Sequence, residues 1–135
     1  MRTFRLSWTI EQVGNERGVA QQHVHLALRR RSILDGAVVI AQSEAKSTRT
    51  IHVVLPLPDG GLASDTQYSV NITSLLSNGV VISKEVAFRT GLLVRSDWRA
   101  AWITGGFSRN LLRTEFSLAS PLNGSIATLY VTGIG

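Results

Sequence analysis

The stretch LASDTQYSVNI, residues 62–72, decides how the rest of the chain is read. In its second half Tyr68, Val70 and Ile72 share one parity while Ser69 and Asn71 share the other. A period of two marks a strand buried on one face. The first half is polar and turn-forming, and Leu62 stands six residues ahead of the tyrosine. In Greek-key sandwiches a tyrosine at the start of the penultimate strand returns its hydroxyl to backbone a few residues upstream and locks the preceding corner. Tyr68 has the position for that structural role.

The same alternation recurs on both sides. Phe4, Leu6, Trp8 and Ile10 form one apolar row, and Val24, Leu26 and Leu28, interleaved with His23, His25 and Ala27, form another that runs into Arg29, Arg30 and Arg31. GAVVIAQS (36–43) and TIHVVLP (50–56) read as short strands rich in β-branched residues. Pro58-Asp59-Gly60-Gly61 and Ser77-Asn78-Gly79 carry turn chemistry. VVISKEVAFRT (80–90) is the last strand of the set, with a bulge expected at Ser83–Glu85, where the apolar parity changes. Six or seven short strands in about ninety residues, with no helical period, predict an all-β fold: a small fibronectin-III or immunoglobulin-like β-sandwich.

FRTGLLVRSDWRAAWITGG (88–106) then places two of the chain's three tryptophans, Trp98 and Trp102, four residues apart between glycine-bearing segments. Large aromatics in such a seam gain by packing one body against another. LLRTEFSL (111–118) alternates again, ASPLNGS (119–125) is a turn by composition, and IATLYVTGIG (126–135) is apolar. The expected organisation is a sandwich over 1–92, a tryptophan-containing linker over 93–110, and a hairpin over 111–135 that begins an incomplete second β-domain. Two strands without a sheet to join are marginal in water. Either this hairpin docks on the sandwich or it belongs to a domain whose remainder lies outside the sequence.

FRTGLL (88–93), SDWRAAWI (96–103), LLRTEFSL and ATLYVTGIG resemble the N-terminal region of bacterial-type α-L-rhamnosidases, and RLSW (5–8) and RGVAQQ (17–22) are similar to that family's first two strands. The resemblance spans the chain and is densest over 88–135. It implies a fibronectin-III-like domain, a linker and the start of a second sandwich in a glycoside hydrolase that releases terminal α-L-rhamnose. The family's catalytic carboxylates lie far downstream in an α-helical barrel, so no catalytic residue is carried over. By this resemblance the chain is a non-catalytic N-terminal fragment, inactive alone. Its partners would be the downstream domains and, through the hairpin, a second copy.

The residues themselves point the same way. Glycoside hydrolysis needs two facing carboxylates, and the nine acidic residues fall mostly in predicted turns, with no pair at i, i+2 on a strand. Without cysteine, thiol chemistry and cysteine-based zinc sites are excluded. No G-x-S-x-G elbow or glycine-rich phosphate loop occurs, and no cofactor is expected. His23 and His25 at i, i+2, with His52 as a third ligand, are the one pattern suited to a metal. In this topology, however, His52 falls on the opposite sheet, and no metal site is expected. The net charge of +5 is dispersed apart from Arg29–Arg31, unlike a nucleic-acid stripe. No signal peptide or membrane span is visible, which favours the cytoplasm. Asn71-Ile72-Thr73 and Asn123-Gly124-Ser125 match the glycosylation pattern, and both are read as incidental. Two alternatives stay open: a carbohydrate-binding module stacking sugars on Trp98 and Trp102, and a protein-interaction sandwich.

Overall fold

The computed structural model describes residues 3–11, 18–32, 36–101, 103, 115, 117 and 127–132. The chain divides into two compact units, Met1–Leu93 and Val94–Gly135. The first holds six strands: β1 (Thr3–Leu6), β2 (Gln21–Ser32), β3 (Gly36–Lys46), β4 (Val53–Pro56), β5 (Gln67–Leu76) and β6 (Val81–Arg89). They form two antiparallel sheets, β1-β4 and β3-β2-β5-β6. The fold is all-β, as the alternation predicts, and no α-helix occurs among the described residues.

The core lies between the sheets. Val24, Leu26 and Leu28 of β2, Leu55 of β4, and Tyr68 and Val70 of β5 are buried together, with Phe4, Leu6, Trp8, Ile72 and Phe88 packed around them. These are the residues of the apolar rows. Burying each large apolar side chain contributes roughly 1.5–3 kcal/mol. β1 ends at Leu6, sooner than the row Phe4 to Ile10 suggests, but Trp8 still donates its N–H to the Thr50 carbonyl at 2.9 Å.

Two irregularities set which side chains face inward. Between β2 and β5 the register passes from Gln21↔Leu76 to His23↔Leu75, leaving Gln22 as an extra residue. Between β2 and β3 it passes from Leu28↔Ala41 to Arg29↔Val39, leaving Ile40 extra. The bulge expected at Ser83–Glu85 is absent, because β5 and β6 pair without interruption from Gln67↔Arg89 to Leu75↔Val81. The apolar parity of β6 changes there for another reason. At this end of the edge strand neither face is buried, so Val81 and Ile82 can both be apolar without constraining the register.

Gly79 closes the β5–β6 hairpin at φ 83, a left-handed conformation that glycine adopts at no steric cost. Its N–H bonds the Leu76 carbonyl at 2.9 Å, and the Asn78 side chain accepts from Val80 N–H at 3.1 Å.

In the second unit the described residues carry one 3-10 turn, Arg95–Asp97, closed by Trp98 N–H to the Arg95 carbonyl at 3.2 Å. Residues 127–132 have no regular secondary structure. The expectations for Trp102, for most of the strand at 111–118 and for the turn at 119–125 lie outside the described residues.

Candidate functional site

The densest side-chain bonding joins the corner before β5 to the chain leaving β6. The Tyr68 hydroxyl accepts a hydrogen bond from Ala63 N–H at 2.8 Å, while its ring lies at 5.6 Å from Phe88, which stacks in turn on Phe4 of the facing sheet at 5.4 Å. The ring is thus held by the core and the hydroxyl holds the corner. Asp65 sits there at φ 51, a conformation more tolerable for Asp than for most residues. Its carboxylate takes both Nε and an Nη of Arg89, at 2.8 and 2.7 Å. Both partners are exposed, so the pair contributes at most about 1 kcal/mol. Its value lies in the paired Nε and Nη contacts to one carboxylate oxygen, Oδ1, which tie the corner to the strand end.

Thr90 completes the junction. Its hydroxyl donates to the Ala63 carbonyl at 2.7 Å and accepts from Thr66 N–H at 3.0 Å, while its own N–H donates to the Thr66 carbonyl at 3.0 Å. Asp65 N–H bonds the Gly91 carbonyl at 3.1 Å, and Leu93 N–H bonds Ser64 Oγ at 2.7 Å. Residues 89–93, the RTGLL of the seam, are therefore tied at almost every position to residues 63–66. The chain leaves the sandwich along a fixed path. Tyr68 was legible from its place in the alternation; Asp65, Thr90 and Arg89 were not, because nothing local links positions about twenty-five residues apart.

The second polar feature is the outward face of the four-stranded sheet. Glu85 of β6 reaches across β5 to Arg31 of β2, with Nη to Oε1 at 2.9 Å. Ser69, on β5 between them, is fully buried, and its hydroxyl has no partner in strict hydrogen-bond geometry. A freely rotating hydroxyl beside a carboxylate turns toward it, and Ser69 is the largest influence holding the Glu85 carboxyl below its ordinary value of 4.5, followed by the hydrogen bond and charge of Arg31 and the charge of Arg29. Because the folded value is depressed, the stabilisation is present above pH 4.5 and is lost as the pH falls through the folded value. Urea unfolding followed between about pH 3 and 6 is expected to show a midpoint that falls with acid, and Glu85→Gln should flatten that slope. An unchanged slope in the variant would remove Glu85 from the acid response.

Farther along this face Asn71 Oδ1 accepts from Thr73 Oγ1 at 2.9 Å and from Ser83 Oγ at 3.2 Å. The Asn71 of the glycosylation pattern thus lies within a strand, its carbonyl oxygen engaged. His23 Nε2 lies 3.3 Å from Glu44 Oε1. His52 precedes β4 in the other sheet, and among the described residues no group of three or more His, Asp or Glu could hold a metal ion.

Inside the sandwich, Gln21 was missed by sequence reasoning. It is 2% exposed and uses all four of its hydrogen-bonding positions. Oε1 accepts from Trp8 Nε1 at 3.2 Å and from Ser74 Oγ at 2.7 Å, while Nε2 donates to the carbonyls of Ser47 and Arg49 at 2.9 and 3.2 Å.

Of the two tryptophans of the seam, Trp98 is 36% exposed and Trp102 lies outside the described residues.

Two facing antiparallel sheets closed by a tyrosine at the corner before the penultimate strand define an immunoglobulin-like β-sandwich. Residues 1–94 match the family described as the Rha78A-like, N-terminal immunoglobulin domain, and the chain belongs to that family. The match ends one residue past the boundary of the first compact unit. Comparison with curated proteins and with solved structures gave no significant match.

Proposed function

We propose that residues 1–94 are a non-catalytic accessory module of an α-L-rhamnosidase-like glycoside hydrolase, which orients the bodies that follow it. The family match carries this reading, since the family is by description an N-terminal domain of rhamnosidase-like proteins. The junction at residues 63–66 and 89–93 supports it physically, because a module that positions a neighbour needs a fixed exit, and Leu93 is bonded to Ser64. Three carboxylates of the sandwich, Glu44, Asp65 and Glu85, are each held by a basic side chain rather than facing one another as a hydrolytic pair. Trp98 and Trp102 then act as anchors between the module and its neighbour. The purified chain is expected to release no aglycone from an aryl α-L-rhamnoside above the buffer rate. Saturable release that is lost on replacing Asp65 or Glu85 would overturn the assignment.

The exposure of Trp98 favours one second reading, a sugar-stacking platform. Titration with rhamnose would then quench tryptophan fluorescence in a saturable way, and the quenching would weaken in Trp98→Ala. The accessory reading expects no quenching.

A further inference from the structure

β2 and β3, both within the first compact unit, bring two imidazoles and a carboxylate together on the outward face of the four-stranded sheet. Val24, Leu26 and Leu28 of β2 turn into the core, so His23 and His25 project from the opposite face. The pairing of β2 with both neighbours is regular across these residues. Positions two apart on a strand are separated by about 6.8 Å and point the same way. Two imidazoles on that spacing can turn a ring nitrogen each onto one ion at about 2.0–2.1 Å. The register then adds the carboxylate: Glu44 of β3 stands opposite His25, and its Oε1 lies 3.3 Å from Nε2 of His23. Both rings are half-buried, and among the described residues the His25 ring makes no hydrogen bond or ion pair.

The neighbours decide which ion fits. On the β5 side the two histidines face Thr73 and Leu75, and on the β3 side Glu44 and Lys46. Calcium and magnesium ask for a shell of oxygens, which one carboxylate does not supply. Imidazole nitrogen instead suits zinc, copper and nickel. Glu44 places negative charge beside the ring nitrogen of His23, against the opposing charge of Lys46. No group of three or more His, Asp or Glu is placed to hold a metal ion among the described residues, so the chelate is two-pronged and water fills the remaining positions. The expectation of no metal site turned on His52, which lies by β4 of the other sheet. Two imidazoles on one strand do not need it.

We infer that His23 and His25 form a two-imidazole chelating site for a divalent transition metal of the zinc and copper class, with the Glu44 carboxylate as its outer charge partner. The inference does not depend on the assignment to a glycoside hydrolase. The test uses the full chain and Zn²⁺ alone, followed by calorimetry and by the ring-proton resonances of the three histidines. One Zn²⁺ per chain is expected, with the His23 and His25 signals moving along one saturating curve and His52 unmoved over that range. Mg²⁺ at the same concentrations should leave all three in place. His23→Ala and His25→Ala should each weaken binding by at least about ten-fold, the smaller end of what loss of even an outer partner costs a metal site. Glu44→Gln, at an exposed position, should weaken it roughly two- to five-fold. The resonances of the parent chain decide the matter even where a variant fails to fold. Three histidines titrating independently would reduce the pair to separate imidazoles. Unchanged affinity in His25→Ala would place the ion elsewhere, and the lack of any saturable shift below about 1 mM Zn²⁺ would mean that the rings do not converge. Each of these results overturns the inference.

Discussion

Replacing Tyr68 with alanine is expected to lower the unfolding free energy by about 3–5 kcal/mol, the usual cost of deleting a large buried aromatic ring. The ring is 1% exposed and packs on Phe88, so its removal leaves a cavity where β5, β6 and β1 meet. Tyr68→Phe separates the two parts of the effect. It keeps the ring and removes only the hydroxyl that accepts from Ala63 N–H. Ala63 is itself exposed, so water can replace that acceptor, and the cost should be near the low end for a lost hydrogen bond, about 1 kcal/mol. Thr90→Val, which removes the second bond to Ala63, should couple to Tyr68→Phe by more than about 0.5 kcal/mol in a double-mutant cycle, because both act on one corner. Denaturant unfolding of the parent, the three single variants and the Tyr68→Phe/Thr90→Val double variant measures all three quantities. Strict additivity would show that the corner is held at two independent points.

How much of this was legible in the sequence depended on whether the deciding interaction was local. The alternation of β2 and β5 follows from a period of two, and the corner tyrosine stands beside the turn it closes, so both can be read within ten residues. Pairings such as Arg89 with Asp65 and Arg31 with Glu85 become visible only once the sheet order brings their strands together. The bulges were misplaced for a related reason. Parity constrains register only where one face is buried. β6, open on both faces through most of its length, shows a change of apolar pattern with no bulge, whereas the two pairings of β2, buried in the core, each hold an irregularity, at Gln22 of β2 and at Ile40 of β3, that the apolar residues alone do not announce.

Gln21 follows from one of these irregularities and leads to the other large effect. Val24, Leu26 and Leu28 predict that Gln22, of their parity, turns inward. The extra residue before His23 reverses this, so Gln21 is buried and Gln22 exposed. A polar side chain brought inside costs free energy unless its hydrogen bonds are made, and the amide here meets two donors and two acceptors. Gln21→Met keeps the length but orphans the buried Ser74 hydroxyl and the half-buried Trp8 indole N–H, at about 1–3 kcal/mol each. A loss on the order of 3 kcal/mol is expected, the Arg49 carbonyl on the exposed loop regaining water. Gln21→Glu is the sharper variant. An ionised carboxylate there would still accept from Trp8 and Ser74, but would face the carbonyls of Ser47 and Arg49 with no proton to offer. The folded state therefore binds the protonated form more tightly, and the folded pKa rises above the unfolded one. For an acid with a raised folded pKa, stability is greatest below the unfolded value and declines as the pH rises through the interval between the two. Gln21→Glu should accordingly approach the parent in stability near pH 4 and fall behind it by about 3 kcal/mol or more at neutral pH. A deficit independent of pH would mean that the carboxylate had left the site for solvent, taking the link between β1, β2, β5 and the loop after β3 with it.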